Sequence, residues 1–345
     1  MAPDVAPGRR HGRGKMPRMT RLLLASILLV CALAAPAAQG ARTLIVLNKA
    51  DATLVKVDPA SGKILGTVPT GEGPHEVTVS ADGRTAFVGN YGGGAPSPGS
   101  TISVIDLGAM KELKRVDVRP LLRPHGIVFA DGKVYYTSEV SRVVARLDPA
   151  TYQTDWLLGT GQAGTHMVWV NRDASRMFTC NIGSSSISIL ERPQNPNQPW
   201  NVTTIPVGRG PEGFDVSPDG RELWAAHSQD GGVSIIDLEQ KKVTATLDLQ
   251  TKRSNRLKFT PDGKLALISD LDAGEVLVVD VPTRKVTKKI PLGRMVEGIL
   301  MHPDGGQAYV AVNGDNHIAV IDLKTLEPTG KIVTGGGPDG MAWAR

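Results

Sequence analysis

The chain has 345 residues, including 39 glycines and 24 prolines, and only 4% of it is aromatic. That composition is typical of many short strands joined by tight turns rather than of long helices. The net charge of +5 comes from residues 1–41, which hold six basic residues and one acid, because the remainder carries 33 residues of each sign. A basic surface for duplex nucleic acid is therefore excluded in bulk, and we expect no such partner.

The first 41 residues have the features of a secretory signal peptide. Arg18 and Arg21 precede the apolar run 22–35, and small residues follow through Ala41. This order of basic, apolar and small residues is that of a cleaved leader, and the run is short for a membrane span. We predict a signal peptide over 1–41, a periplasmic or secreted mature protein, and no transmembrane segment after cleavage.

A strand–turn–strand unit repeats along the rest of the chain. In its clearest copy, Asp82-Gly83 separates two β-rich runs, 77–80 and 85–88. Asp-Gly between such runs is a strong hairpin signal because glycine accepts the positive φ of the turn. Equivalent turns follow at Asp131-Gly132, Asp173-Ala174, Asp219-Gly220, Asp262-Gly263 and Asp304-Gly305, and a seventh copy begins at Gly337.

The third strand of each unit is an apolar run that ends in an acid. An acid at such a position can cap the following turn through that turn's backbone N–H groups, so we expect a structural role. The seven acids in register are Asp58, Asp106, Asp148, Glu191, Asp237, Asp280 and Asp322.

The repeat predicts a closed ring. From Thr43 the chain opens in mid-repeat with the second, third and fourth strands of a unit, and the missing first strand is 340–344. Seven units of about 40–50 residues match propeller blades. We predict an all-β fold: one seven-bladed β-propeller over 42–345, with four-stranded antiparallel blades, the last closed by the N-terminal strands plus the C-terminal strand, and we expect a monomer. The glycine-rich insertion 92–99 is predicted to be a flexible loop over the top face, and 192–200 a loop on the other face.

The hairpins and strand ends resemble the YVTN-repeat β-propellers. The resemblance rests on the Pro-x-x-apolar…Asp-Gly hairpin, on the strand ends 87–90 (Phe-Val-Gly-Asn) and 309–313 (Tyr-Val-Ala-Val-Asn), and on the Val-Ile-Asp-Leu third strands. It spans 43–345 and implies an extracytoplasmic propeller of the lactonase-like and cytochrome d1-like superfamily. Proteins of this kind serve as binding proteins, lactonase-like enzymes and carriers of redox cofactors.

Polar residues recur where the blades should meet the channel. The first strand of a propeller blade lines the channel. Reading the residue at the start of that strand around the ring gives His75, His125, His166, Glu212, Asn255, Glu297 and Asp339. The next residues inward are Glu76, Gly126, Met167, Gly213, Arg256, Gly298 and Gly340, whose glycines either permit the turn or widen the mouth. The second strands are predicted to return Asn90, Glu139, Asn181, His227 and Asp270 to the same face, with Asn48 and Asn313 equivalent.

These residues suggest three functions. We expect a small polar ligand, a metal or a protein partner to bind at the top-face mouth. The first alternative is a metal-assisted hydrolase or lyase acting on a substrate such as a lactone, with zinc, copper or iron on His75, His125 and His166 and with Glu212 or Glu297 as general base. The second alternative is an accessory subunit of an extracytoplasmic redox system. The motifs of zinc proteases, esterases, dinucleotide-binding folds and covalent haem attachment are absent from the sequence.

Overall fold

A computed structural model describes residues 42–94 and 96–345, and the predicted signal peptide lies outside them. These residues form seven four-stranded antiparallel sheets. The first three strands belong to the last blade, blade 7: β1 (Thr43–Asn48), β2 (Thr53–Val57) and β3 (Ile64–Pro69).

The other blades follow in chain order. Blade 1 comprises β4 (Pro74–Val79), β5 (Thr85–Gly94), β6 (Ser97–Asp106) and β7 (Lys111–Asp117). Blade 2 comprises β8 (Pro124–Ala130), β9 (Lys133–Ser138), β10 (Val143–Asp148) and β11 (Gln153–Gly159). Blade 3 comprises β12 (Thr165–Val170), β13 (Arg176–Asn181), β14 (Ser186–Glu191) and β15 (Asn201–Pro206).

The second half of the ring has the same plan. Blade 4 comprises β16 (Pro211–Val216), β17 (Glu222–His227), β18 (Gly232–Asp237) and β19 (Lys242–Asp248). Blade 5 comprises β20 (Ser254–Phe259), β21 (Leu265–Asp270), β22 (Glu275–Asp280) and β23 (Lys285–Pro291). Blade 6 comprises β24 (Val296–Met301), β25 (Gln307–Val312), β26 (His317–Asp322) and β27 (Glu327–Val333), and β28 (Pro338–Ala344) completes blade 7.

Helix is confined, within the described ranges, to two short 3₁₀ turns at Ile182–Ser184 and Asn313–Asp315. Across those ranges no helix has the length and apolarity needed to cross a membrane.

Blade 7 joins the two ends of the chain. β28 pairs antiparallel with β1, with Val46 opposite Met341 and Leu44 opposite Trp343. The prediction that the last blade is built from both termini is confirmed, as is the seven-bladed propeller. The pairing also covers an edge of β1 that would otherwise present unpaired backbone groups.

The hydrophobic core lies between blades. Seven apolar clusters each join residues of two neighbouring blades. On one side of blade 7, Val46 and Val55 share a cluster with Ile318 of blade 6. On its other side, Leu47 shares a cluster with Val88 of blade 1. Because blade 7 is packed on both faces, the ring is closed.

The acids at the ends of the third strands cap turns, as expected. The Asp106 carboxylate accepts hydrogen bonds from the backbone N–H groups of Gly108 and Ala109 at 2.8 and 2.9 Å. Five other aspartates accept equivalent backbone bonds: Asp58, Asp148, Asp237, Asp280 and Asp322. Glu191 differs, because its carboxylate pairs with Lys241 Nζ at 2.5 Å.

The glycine-rich insertion extends a hairpin rather than forming an irregular loop. β5 and β6 are ten residues long, and Gly92 pairs with Pro98 beyond the normal end of the blade. Gly92 has φ +90°, and a Cβ on it would lie 2.2 Å from Gly99 N. Only glycine fits this close approach of the two strands.

Removing the C-terminal strand tests the closure. Deletion of residues 337–345 should leave β1 unpaired and open two apolar clusters, so we expect aggregation or a melting temperature lower by more than about 10 °C. Deletion of Arg345 alone is the control, because this exposed residue follows the end of β28. Thermal unfolding followed by circular dichroism measures both, and a nine-residue truncation that melts within about 2 °C of the parent would contradict the closure.

Candidate functional site

Every blade presents a polar side chain to the channel at the same place. The second residue of each inner strand occupies this position, and a β-bulge follows it or lies opposite it in all seven blades. A bulge re-aims side chains by breaking the alternation of a strand, so successive residues can both face the channel. The residues at this position are His75, His125, His166, Glu212, Asn255, Glu297 and Asp339, and we call them the channel ring.

Three imidazoles of the channel ring pack against one another with tilted ring planes. The ring centroids of His75 and His125 are 4.1 Å apart, and those of His125 and His166 are 3.7 Å apart. The three side chains, here called the histidine stack, therefore meet on one side of the channel. This convergence follows from their equivalent positions on consecutive blades.

The histidine stack contains polar atoms without partners. His125 is fully buried and His166 is 6% exposed, and neither nitrogen of either ring has a hydrogen-bond partner within the described residues. Burial, followed by the proximity of His166 and His75, holds the pKa of His125 well below its usual value. His125 is therefore neutral at physiological pH, with one donor and one acceptor to offer.

The stack is not arranged as a metal site. Its ring faces meet at interplanar angles of 48° and 34°. Within residues 42–94 and 96–345, no group of three or more His, Cys, Asp or Glu side chains is placed to hold a metal ion. The geometry thus does not support the zinc, copper or iron site expected at His75, His125 and His166.

His75 also belongs to a charged cluster. Its Nδ1 lies 2.8 Å from Asp339 Oδ2, and its Nε2 lies 3.3 Å from Lys49 Nζ. Lys49 Nζ in turn lies 3.2 Å from Asp339 Oδ2 and 3.7 Å from Glu297 Oε2. We call these four residues the acid–base cluster.

The cluster has well-defined charges. Burial would raise the pKa of Asp339, but Lys49 and His75 outweigh it and hold that pKa below its usual range. Burial, followed by Lys49, lowers the pKa of His75. Burial opposes the charge of Lys49, yet Asp339 and Glu297 keep its pKa above the usual value. At neutral pH the cluster therefore combines a carboxylate, a neutral imidazole and an ammonium group.

Glu297 has a carboxyl group whose pKa is strongly raised. Burial, followed by the nearby Asp339 carboxylate, raises its pKa from 4.5 to about 8. Its Oε2 accepts a hydrogen bond of 3.2 Å from Asn313 Nδ2. Glu297 is mostly protonated at pH 7 and is placed to donate a proton rather than to accept one.

The channel is closed one layer below the ring. Arg256 on blade 5 reaches Glu76 on blade 1, with Nη2 2.5 Å from Oε1, and its side chain is 5% exposed. Blades 5 and 1 lie across the ring from each other, so this ion pair spans the channel. We call the opening above it, bounded by the channel ring and Lys49, the cup.

The glycines of this lower layer narrow the channel instead of widening its mouth. A Cβ added at any of them would lie 2.3–2.6 Å from the backbone of the next blade, so their absence of a side chain lets neighbouring inner strands approach. They are Gly126, Gly213, Gly298 and Gly340.

Glu212 is tied to the floor of the cup. Its Oε1 accepts a bond of 2.8 Å from Asn255 Nδ2, and Asn255 Oδ1 accepts one of 3.2 Å from Arg256 Nη1. Neither predicted general base is therefore free to act as one. Glu212 is hydrogen-bonded to Asn255, and Glu297 is protonated.

The second strands present a different set of residues from the predicted one. Four of the predicted side chains are hydrogen-bonded within their own blades: Asn90 bonds to Thr101 and Ser103, Asn181 to Ser186 and Ser188, His227 to Asp230 and Ser234, and Asp270 to the backbone of Lys252 and Arg253. In four blades a residue one position further along the second strand lies at the cup instead. Lys49, Glu139 and Asn313 directly follow β1, β9 and β25, and Tyr91 lies within the longer strand β5.

Tyr91, Glu139 and Arg123 form a polar group beside the stack. Tyr91 Oη donates to Glu139 Oε2 at 2.6 Å and accepts from Arg123 Nη1 at 3.0 Å. Glu139 Oε2 also lies 3.7 Å from His166 Nδ1. Burial opposes the charge of Glu139, but His166 and Tyr91 hold its pKa below the usual value. Lys49, Tyr91 and Arg123 are the site residues that sequence reasoning missed.

An open cleft leads to the acid–base cluster. It has a volume of about 480 Å³ and lies where blades 6, 7 and 1 meet. Lys49, Glu297, Asn313, Gly73 and Gly92 are among its lining residues. A cleft of this size admits a small ligand.

Comparison with known proteins gives limited sequence similarity. No family model matches the chain. Over 129 residues it is 28% identical to Antigen Lp49 of Leptospira interrogans, a match that takes in 35% of this chain and 28% of the antigen. The chain thus matches little more than a quarter of that protein's length.

Solved structures match over most of the ring. A putative 6-phosphogluconolactonase from Bacteroides fragilis has a TM-score of 0.74 and 15% identity, covering 90% of this chain and 100% of its own. The periplasmic gluconolactonase of Pseudomonas aeruginosa has a TM-score of 0.72 and 17% identity, covering 88% and 99%. A dihydro-heme d1 dehydrogenase has a TM-score of 0.62 and 15% identity, covering 87% and 74%.

The chain is a seven-bladed β-propeller. Its structural neighbours are lactonase-like and cytochrome d1-like propellers, as the sequence resemblance implied. At these identities the likeness shows the fold alone, and the YVTN family itself stays a prediction.

The raised pKa of Glu297 generates a pH prediction. The folded protein binds a proton here that the unfolded chain releases near pH 4.5, so this group's contribution to stability falls as pH rises from about 4.5 to about 8. Glu297→Gln removes the titration and keeps an acceptor for Asn313. We expect the mutant to gain at least about 1 kcal/mol relative to the parent between pH 5 and pH 8.5.

Urea unfolding of both proteins at the two pH values gives the comparison. Titrating groups away from the acid–base cluster cancel in the difference. Glu327→Gln is the control, because Glu327 is exposed on an outer strand. An unchanged difference in free energy of unfolding between the two pH values would contradict the raised pKa.

Proposed function

We propose that the cup binds a small hydroxylated molecule that carries a carbonyl or carboxylate group. The observation that carries the proposal is the pair of buried imidazoles, His125 and His166, whose four ring nitrogens have no hydrogen-bond partner in the described chain. Buried polar groups are normally hydrogen-bonded, and an unsatisfied one costs about 1–3 kcal/mol. Such a cost is retained where a ligand satisfies the groups.

The chemistry of the histidine stack on one side of the cup and of Lys49 on the other selects the ligand class. A neutral imidazole offers one donor and one acceptor, which complements a hydroxyl group better than an ion. Lys49 offers a positive charge next to the cleft, which suits a carbonyl or carboxylate oxygen. A ligand with hydroxyls towards the stack and an oxo group towards Lys49 satisfies both; aldonic acids and their lactones are of this class.

A second candidate function is hydrolysis of a lactone, favoured by the contact between His75 and Asp339. In it, Asp339 orients the neutral His75, which takes a proton from water as the water adds to the carbonyl carbon. Lys49 stabilises the negative oxygen, and protonated Glu297 delivers a proton to the ring oxygen as the C–O bond breaks. The product is the open hydroxy acid, and transfer of the proton from His75 back to Glu297 through solvent restores both groups.

The solved neighbours support both candidates without deciding between them. Two of the structures are named as lactonases, and one of those is named as periplasmic. A periplasmic or secreted location is part of the proposal, together with the predicted signal peptide. The monomeric state and the lack of a duplex nucleic-acid partner stay predictions.

Binding is tested with D-gluconate as the probe. Calorimetric titration of the parent protein should show one site, and His125→Ala should weaken binding at least tenfold because a donor and an acceptor are lost. We expect the stability of this variant to change by less than about 1 kcal/mol, since lost packing is offset by removal of unpartnered polar atoms.

His302→Ala is the control, because His302 lies in a hairpin turn away from the cup and pairs with Asp304 at 2.6 Å. Equal gluconate affinity for His125→Ala and the parent would refute the proposed site.

Hydrolysis is tested with D-glucono-1,5-lactone in a pH-indicator assay. If the second candidate holds, Asp339→Asn should lower kcat at least about a hundredfold, because the base loses its orienting carboxylate. Asp322→Asn, at a turn-capping aspartate, should retain the parent rate. Gluconate binding by a parent protein that does not accelerate lactone opening would leave the binding function and eliminate the hydrolase.

A further inference from the structure

Tyr91 packs against two members of the histidine stack. Its ring stands edge-on to His75, at 5.4 Å between centroids and 74°, and to His125, at 5.3 Å and 87°. His125 is fully buried although it lies at the mouth of a channel. Tyr91 is thus part of the cover that separates the unpartnered nitrogens of the stack from the cleft.

The cover is held by its polar end. Tyr91 Oη bonds to Glu139 Oε2 at 2.6 Å and to Arg123 Nη1 at 3.0 Å, and the guanidinium carbon of Arg123 lies 4.8 Å from the ring centroid. Both partners belong to blade 2, whereas Tyr91 belongs to blade 1. Two hydrogen bonds across a blade boundary therefore fix the ring in place.

Tyr91 is adjacent in sequence to the lining of the cleft. Gly92, the next residue, lines it, and the hairpin extension that begins there is unique to blade 1. The lining of the cleft includes Lys49 and Glu297 of the acid–base cluster, whereas His125 and His166 are not part of it. Rotation of the Tyr91 side chain requires no change in the paired backbone of the extension.

We propose that Tyr91 is the gate of the cup: it closes over His125 and His166 in the free protein and leaves this position when a hydroxylated ligand binds. The gate rests on the proposed function for the identity of its ligand, but not for its opening. The gate makes Tyr91 a specificity-determining residue, because a ligand displaces the tyrosine ring only if its own hydroxyl groups hydrogen-bond to the imidazoles. A small molecule with only a carboxylate engages Lys49 and leaves the gate closed.

The opening is tested without any ligand. Diethyl pyrocarbonate modifies neutral imidazoles that solvent reaches, and peptide mass spectrometry measures the rate at each histidine. In the parent protein, we expect His125 to react far more slowly than His302, which serves as an internal reference. Tyr91→Phe keeps the ring and removes both tethers, so His125 and His166 should react at least tenfold faster.

Two matched variants complete the design. Tyr152→Phe changes a partly buried tyrosine at a turn of blade 2 and should leave all rates unchanged. Tyr91→Ala removes the cover and should make His125 react faster still; if this variant unfolds, Tyr91→Phe alone decides. If His125 reacts in Tyr91→Phe at the same rate as in the parent protein, Tyr91 is not a gate. The gate is also refuted if His125 of the parent protein reacts as fast as His302.

Gluconate separates the gate from the proposed ligand. Added to Tyr91→Phe, it should slow modification of His125 and His166 at least fivefold by occupying their nitrogens, whereas acetate at the same concentration should not. Faster modification without protection by gluconate would support the gate and contradict the proposed ligand class. Equal protection by acetate would contradict the specificity assigned to the gate.

Discussion

The pairing of β28 with β1 is the constraint on which the site depends. The channel ring takes one residue from each of the seven blades, so its distances are set only when the ring is closed. The join itself carries function, because Asp339 lies on the C-terminal strand and Lys49 follows the N-terminal one. These residues are 290 positions apart in sequence and 3.2 Å apart in space. Closing the ring thus also assembles the acid–base cluster.

The repeated hairpin made the architecture and the channel ring predictable. Asp-Gly turns set the phase of each blade, and counting back from them locates His75, His125 and His166 as equivalent residues. The count fails on the second strands, because the bulge at the start of each inner strand shifts the pairing. Asn90 pairs with Pro74 and bonds to Thr101 on the neighbouring strand, while the next residue, Tyr91, faces the cup. Glu139 and Asn313 were found only because their strand ends were counted one residue late.

Other features depend on contacts that no local pattern contains. The sequence around Arg256 does not reveal that its partner is Glu76, 180 residues away on the far side of the ring. Likewise, the sequence does not show why the lower layer contains glycines, because their role depends on how closely the backbone of the next blade approaches. The orientation of the three histidines is a related case: equivalent positions bring the imidazoles together, but their tilted ring planes do not support the expected metal site. Proximity follows from the repeat, whereas orientation follows from the packing of adjacent blades.

The site concentrates features that a stable core avoids. Unpartnered imidazoles, a buried carboxylate and a carboxyl with a raised pKa lie within one opening, whereas the cores between blades are apolar. Local departures from the rules of stable packing are expected at functional sites, and the rest of the structure compensates for them. Here the compensation comes from seven apolar interfaces between blades, which hold the rim rigid.

The ion pair of Arg256 and Glu76 affects the route by which a ligand enters and leaves the cup. A propeller with an open bore could act as a conduit, with arrival at one face and departure at the other. In this protein the ion pair crosses the channel, so a bound molecule must leave through the opening by which it entered. If the cup turns over a substrate, product and substrate must pass through the same opening. Replacement of product by substrate would then slow as product accumulates in solution.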